Sequence, residues 1–482
     1  MTAKVEAVIP HGMGYNKFLK SKIENRKSKR GKREAVFGLS PDWLLHEGEV
    51  VADLIVLSHA EQFDRLVADC PQAAPNAVVA GDICFDRLRA SRPLRASYRR
   101  ALGLSAPQKL VVISSTWGPE SLIAVAPDIP ARLARELPVD EFRIMIAPHP
   151  NIRSEHSAWQ VREYLAATRR AGVSVPEDVD AWQSAIVAAD LVVGDHGSVP
   201  FYSTALGNPL LLATAPEHTV DPRSPIARLL RAAPRLDPSI GFEEQVRAAI
   251  DGHDPARYAA ITALTTSEPD ASAALLRSAL YGVMGSSEPD EPPFLSALPL
   301  PAHRLDGPAS HLVLTELGTD RTARVLRYPA ERLRSGIATP RGAHLAVGTR
   351  EPRQNWLELA DILIGEPGPG TSQWITETLA SLPGCAFAAA PVDAHGWLIG
   401  DAEGSRLRVS GSEQACRLFA SVAYQLQVTG AEHEAALGEW TIECGGQDHR
   451  VLVESPAPDQ ADGSPSSSVR QRCASSPKPS CS

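Results

Sequence analysis

The chain has 482 residues, 43% hydrophobic and 22% charged, which suggests about three domains and excludes a mini-scaffold, a coiled coil or a bulk-disordered protein. Its formal net charge is −9, yet residues 17–33 hold nine Lys or Arg against one Glu, so the remainder sums to −17. Six of the nine lysines fall in that window, a concentration that background composition does not explain.

From the start to about residue 285, short apolar β-branched runs alternate with helical stretches, the pattern of βαβ units on a parallel sheet. The expected strands are KVEAVIP, ADLIVLS, AVVAG, KLVVISS, FRIMIAP, DLVVGD and PLLLAT, nearly continuous in hydrophobicity as strands covered on both faces are. Helices are expected over AEQFDRLVADC, SAWQVREYLAATRRAG and DAWQSAIVAA, with DASAALLRSALYGVM closing the region. A Pro-rich stretch with a linker composition follows over 286–303. Beyond it, 304–455 mixes strands (HLVLTEL, TARVLRYP, HLAVGT, RLRVSG, EWTIECG, HRVLVES) with helices (WLELADILIG, SQWITETLASL, CRLFASVAYQLQ), an α+β module without a chemical motif. The tail, 456–482, has too few large apolar side chains to build a core and is expected to be disordered.

No apolar run reaches the roughly 18 residues of a membrane span. The opening MTAKVEAVIPHG has no basic leader, apolar segment or small-residue cleavage site, so a cytoplasmic protein is expected. The seven scattered cysteines form no CxxC pair and read as reduced thiols; no metal site or cofactor is expected. The absence of GxxxxGK[ST], GxSxG and HExxH sets aside P-loop, hydrolase-elbow and zincin chemistry, and a GTP-dependent translation role with them.

Ligands of open parallel sheets bind outside the carboxyl ends of the strands, so post-strand residues carry the information. Here they are His11-Gly12-Met13-Gly14-Tyr15-Asn16-Lys17, then Asp82, Thr116-Trp117-Gly118, His149-Pro150-Asn151 and Asp195-His196-Gly197-Ser198. A strand ending at Asp195, a turn at Gly197 and Ser198 opening a helix make a natural phosphate site; the bland alternative is that Ser198 caps the helix and Asp195 holds the turn. His149 has the chemistry to donate to a phosphate or move a proton, though a lone post-strand histidine is more often structural. His11 is favoured by the flanking Gly12 and Gly14, which let backbone approach a ligand. Thr116 and Trp117 suit a pocket wall, with packing as the alternative, and His196 is balanced between ligand contact and cap neighbour. The basic run reads either as a solvated loop or as an attractor of polyanions or an anionic membrane surface; without aromatic interleaving, nucleic acid is not favoured.

In order, HGMGYNK, GDICFD, SSTWG, APHP and GDHGS followed by VPFYSTALGNP resemble the motifs of the CDP-glycerol glycerophosphotransferases, the teichoic-acid polymerase type of GT-B transferase, which read HGTPLK, GxPRxD, PTWR, RxHP and TDYSS before LLGKP. The resemblance covers residues 7–250. It implies a GT-B-like, Rossmann-type parallel-sheet fold with His11 and His149 as catalytic residues. Gly12, Thr116, Trp117, Asp195, His196, Gly197 and Ser198 would then contact the nucleotide or its phosphates. Where the family has arginines this chain has Cys84, Gly118 and Ala147, and its tyrosine and serine of DYSS are His196 and Gly197. Three missing guanidiniums remove bidentate phosphate contacts.

The expected organisation is thus a remnant of the N-terminal GT-B domain over 1–80, including the basic loop, a nucleotide-donor domain over 81–285, the linker, the α+β domain and the tail. The expected function is transfer of a glycerophosphate or glycosyl group from a CDP- or UDP-activated donor to a polyol-phosphate or glycan hydroxyl in cell-envelope polymer synthesis, at the inner membrane face if 17–33 binds lipid. The alternative is a non-catalytic binder of anionic polymer or membrane on the same scaffold.

Overall fold

The computed structural model describes residues 5–10, 12–19, 35–149, 151–152, 157–305, 307–334 and 336–456. The predicted tail beyond 456, most of the basic run and His11 therefore lie outside the described residues. The chain divides into two compact units, the first made of 1–312 with 326–341 and 445–447, the second of 313–325, 342–444 and the chain from 448 on.

All seven expected strands of the first unit form. They are β1 (Ala7–Val8), β4 (Leu54–Leu57), β5 (Ala77–Val79), β6 (Lys109–Ser115), β7 (Phe142–Pro148), β8 (Leu191–Gly194) and β9 (Leu210–Leu212), with a small antiparallel pair, β2 (Leu45–His46) and β3 (Glu49–Val50), between the first two. They split into two parallel sheets, β1-β4-β5 and β7-β6-β8-β9. In β6 every residue after Lys109 is buried, and its alternate side chains serve opposite faces. Leu110 and Val112 join Met145, Val192, Phe201 and Tyr202 in one cluster, while Val111 and Ile113 join Ile144, Leu191, Leu133 and Phe242 in another. Burial on both faces explains why these strands are continuously apolar instead of alternating. In the order β7-β6-β8 the chain passes from β6 out to β7 and back across to β8, so β6 and β8 flank the point where the winding reverses and where open sheets take ligands.

The long helix Ser272–Met284 does not cap the sheet that precedes it. Its Leu275, Leu276, Ala279, Leu280 and Val283 cover Leu54, Val56 and Ala80 of the β1-β4-β5 sheet. Asp86 fixes where it starts, accepting from Asp270 N at 2.9 Å, Ser272 N at 3.2 Å and Ser272 Oγ. The Pro-rich stretch is not a free linker either. Leu298 is buried, its N–H donating to Ser91 Oγ at 2.9 Å and its carbonyl accepting from Tyr98 Oη at 2.6 Å. Proline leaves a segment without many amide donors, so two bonds at one leucine and its apolar side chain suffice to lay it down.

The second unit departs from the α+β expectation. Strands β10 (Ser310–Leu317), β11 (Thr322–Pro329), β12 (His344–Gly348), β13 (Ile362–Ile364), β14 (Phe387–Pro391), β15 (Gly396–Asp401), β16 (Arg406–Gly411), β17 (Gly438–Cys444) and β18 (Gln447–Glu454) close into a barrel in the order β10-β11-β17-β18-β16-β15-β14-β13-β12. Three of these strands differ from the sequence expectation. WLELADILIG divides into a helix, Gln354–Glu358, and β13, because ILI is a short fully buried run that length alone assigns to a strand. FAAAP and GWLIGD become β14 and β15 although alanine and glycine are poor strand formers, since the small side chains of β14 lie against the helix Glu413–Val428. That helix contributes Phe419, Leu418 and Val422 to one core with Ile364, Phe387, Ala389, Val409, Ile442 and Trp440. Among the described residues no helix is long and apolar enough to cross a membrane.

Candidate functional site

The C-terminal ends of β6 and β8 are tied by one carboxylate. Asp195 Oδ2 accepts from Thr116 N (2.8 Å), Thr116 Oγ1 (2.8 Å) and Leu122 N (3.0 Å), and Oδ1 accepts from Gly197 N (3.1 Å). It is 1% exposed. Burial pushes the Asp195 carboxyl above its ordinary range, against the pull of those donors and of the Lys17 charge. With four donors on two oxygens Asp195 shapes the loops, and Thr116, whose amide and hydroxyl hydrogens both go to Asp195, supports them.

Gly197 is the N-cap of the helix Ser198–Ala205 and makes no side-chain cap, so Ser198 is the first helical residue and not the cap. Pro200 has no N–H, which leaves Ser198 N and Val199 N as first-turn donors without an intrahelical acceptor. A Cβ on Gly197 would come within 2.8 Å of Thr116 Cγ2, so the two loops close on each other only with glycine there. His196 is buried beneath the turn.

Against this helix end lies the loop of the first sheet. Gly12 has φ +70°, and a Cβ there would stand 2.6 Å from Ser198 Oγ. The Gly12 turn thus rests on the helix start. The loop is held from several sides. Tyr15, at φ +60°, donates from its hydroxyl to Val56 O at 2.8 Å, and its own carbonyl accepts from Arg65 Nη1 at 2.6 Å. A tyrosine in the left-handed region costs about 1–2 kcal/mol, which these bonds offset. Asp221 N donates to Asn16 O at 2.8 Å, and Phe18 N to Thr219 O at 3.2 Å. Although burial acts against it, Asp221 sits below the usual carboxylate range through hydrogen bonds from Arg223 and the charges of Arg65 and Arg223.

His149 follows β7, its N–H donating to Ser115 O at 3.1 Å. Its Nδ1 accepts from Asn151 N at 3.1 Å, so a neutral ring carries its proton on Nε2. That arrangement suits contact with a phosphate oxygen better than proton abstraction. The ring lies 6.4 Å from that of Trp117, centroid to centroid, and both side chains are half-buried.

Three residues of consequence carry no individual signal in the sequence. Lys17 ends HGMGYNK and opens the basic run with no role of its own to distinguish it, yet its charge bears on Asp195. Arg65 sits in an ordinary amphipathic helix, yet it anchors Tyr15. Tyr202, fully buried one turn below Ser198, donates to Asp82 Oδ2 at 2.7 Å, joining the helix Ser198–Ala205 to the turn after β5. Burial first, and then the Asp86 charge, raises Asp82 to about 6, and burial pushes the neighbouring Cys84 thiol up to about 12, where it is unreactive.

No family model matches the chain, and no curated protein does. Among solved structures it is similar to the wall teichoic acid polymerase TagF, at 14% identity and a TM-score of 0.37 over 58% of this chain and 67% of that one. It is also similar to the UDP-GlcNAc 2-epimerase of Neisseria meningitidis bound to UDP-GlcNAc, at 15% identity and 0.30 over 48% and 61%. S. aureus MnaA in its UDP co-structure gives 14% identity and 0.30 over 52% and 64%. The chain spans about two thirds of the length of these proteins. Similarity this distant leaves the site to be judged on its own geometry.

Proposed function

We propose that the first unit binds a nucleotide-activated donor, CDP- or UDP-linked, and transfers its glycerophosphate or glycosyl group to a hydroxyl acceptor. The observation that carries this reading is the contact of Gly12 with Ser198, which sets a glycine turn from one parallel sheet on a helix start of the other. Donor phosphates would rest on Ser198 N, Val199 N and the Ser198 hydroxyl, with His149 Nε2–H as a further donor. His11 is the general base by resemblance and lies outside the described residues. With Cys84, Gly118 and Ala147 in the places of the family's arginines, the charge on the departing phosphate falls to these dipoles and to Lys17. Calorimetry with CDP and UDP tests the reading: saturable binding is expected, weakened about tenfold in Ser198→Ala and abolished in Gly12→Val, whose side chain must enter the Ser198 contact. A folded protein that binds neither nucleotide sinks it.

A second reading, a non-catalytic binder of anionic membrane, is favoured by one further observation. Phe37 and Trp43 are 44% and 42% exposed with ring centroids 4.2 Å apart. Phe37 is bonded to Lys17, and Leu19 to Ala35, the residues that flank the basic segment. Exposed aromatics beside clustered Lys and Arg suit a lipid interface. Co-sedimentation with phosphatidylserine vesicles that falls with salt and is lost in Phe37→Ser/Trp43→Ser, without nucleotide binding, would establish it in place of the first.

A further inference from the structure

Beside the Gly12 turn lies a crevice of about 40 Å³ at the C-terminal ends of β4 and β5. It is several times the space one water needs and about a tenth of a nucleotide pocket, so it takes a group of a few heavy atoms. Its polar wall is made by Ser58, Asp82 and the turns at Gly12 and Gly81, and its apolar wall includes Ile83 and Leu276.

One feature of that wall is incomplete among the described residues. Ser58 is 0% exposed and its Oγ has no hydrogen-bond partner among the described residues, although its N–H donates to Gln62 Oε1 at 2.8 Å. A buried hydroxyl left unpaired is a cost that a bound hydrogen-bonding group would remove. Asp82, 6% exposed, accepts from Phe85 N at 2.9 Å on Oδ1 and from Tyr202 Oη at 2.7 Å on Oδ2. These donors and the Cys84 amide are neutral, and three bonds do not exhaust the roughly four acceptor positions of a carboxylate. A carboxylate without a cation beside it repels anions and accepts hydroxyl hydrogens, while Ser58 Oγ both donates and accepts. Gly12 and Gly81, at φ +70° and +79°, bring bare backbone to the rim.

We propose that this crevice is a subsite for a neutral hydroxyl-bearing group of hydroxymethyl or diol size, whose O–H donates to Asp82 and whose oxygen accepts from Ser58. Resting on the transferase reading, the subsite is the acceptor side of the reaction, separated from the donor side by the Gly12–Ser198 contact.

The full chain is titrated with glycerol as probe and followed by saturation-transfer NMR, with CDP and UDP binding measured on the same samples. Saturable glycerol binding is expected, with intermolecular NOEs to the methyls of Ile83 and Leu276, which locate the ligand without any substitution. Asp82→Asn retains a side-chain oxygen to cap the helix Ile83–Ser91 and is expected to weaken glycerol about tenfold, as is Ser58→Ala. Absence of saturable glycerol binding, NOEs that arise elsewhere, or affinity unchanged in both variants would overturn the subsite. Nucleotide bound without glycerol leaves the donor reading standing and removes the subsite; glycerol bound at Ile83 and Leu276 without nucleotide keeps the subsite and removes the transferase reading.

Discussion

The two units bury their polar groups in different ways. In the first, buried carboxylates gather backbone amides: Asp195, after β8, from Thr116, Leu122 and Gly197; Asp82, the N-cap of the helix Ile83–Ser91, from Phe85; and Asp86, inside that helix, from Asp270 and Ser272. In the second unit the core around the helix Glu413–Val428 is apolar, the buried carboxylate of Glu351 is matched by the Arg353 guanidinium, and the buried His344 has its ring tilted 4.5 Å from that of Tyr424. A carboxylate that gathers amides holds irregular backbone in one shape, which a ligand site needs and a self-paired barrel does not.

The most direct way to break this comparison is to remove the carboxylate that shapes the loops. Asp195→Ala strands several buried donors and is expected to cost about 4 kcal/mol in urea unfolding, with Asp195→Asn recovering part because one oxygen still accepts. A loss under 1 kcal/mol would mean that the loops hold themselves.

Acid separates the units by sign. Burial lowers His344 to about 4, so between pH 6.5 and 4 the unfolded chain takes up a proton that the folded barrel refuses. Stability falls by about 3 kcal/mol as pH drops through that window, and His344→Phe flattens it. Asp82 runs the other way. With its carboxyl raised to about 6, the folded state holds the proton more tightly than the unfolded one. Its cost sets in as pH rises from about 4 and is complete above about 6, about 3 kcal/mol that Asp82→Asn abolishes. Unfolding midpoints of the two variants against pH check both; parallel slopes would dissolve the contrast. The smallest effect is expected for Tyr202→Phe, about 1 kcal/mol, since Asp82 keeps its bond from Phe85 N.

Much of the first unit was legible along the chain. Parallel strands buried on both faces advertise themselves as apolar runs, and their post-strand polar residues are adjacent in sequence to the strands that end there. For that reason KLVVISS and DLVVGD point to Thr116 and Asp195 from the sequence alone. The alanine-rich β14 was not legible, because small side chains become a strand signal only when a helix lies against them.

By itself, the sequence determined the alternation of β and α in the first unit, the apolar faces of its strands, and the glycines where a side chain has no room. Those properties follow from local periodicity and backbone sterics. Tertiary structure alone decided that seven strands form two sheets, that Ser272–Met284 returns to the first of them, that nine later strands close into a barrel, and that Gly12 meets Ser198 while Tyr202 meets Asp82. Those pairs are more than a hundred residues apart, and hydrogen bonds and contacts of that separation leave no period in the chain.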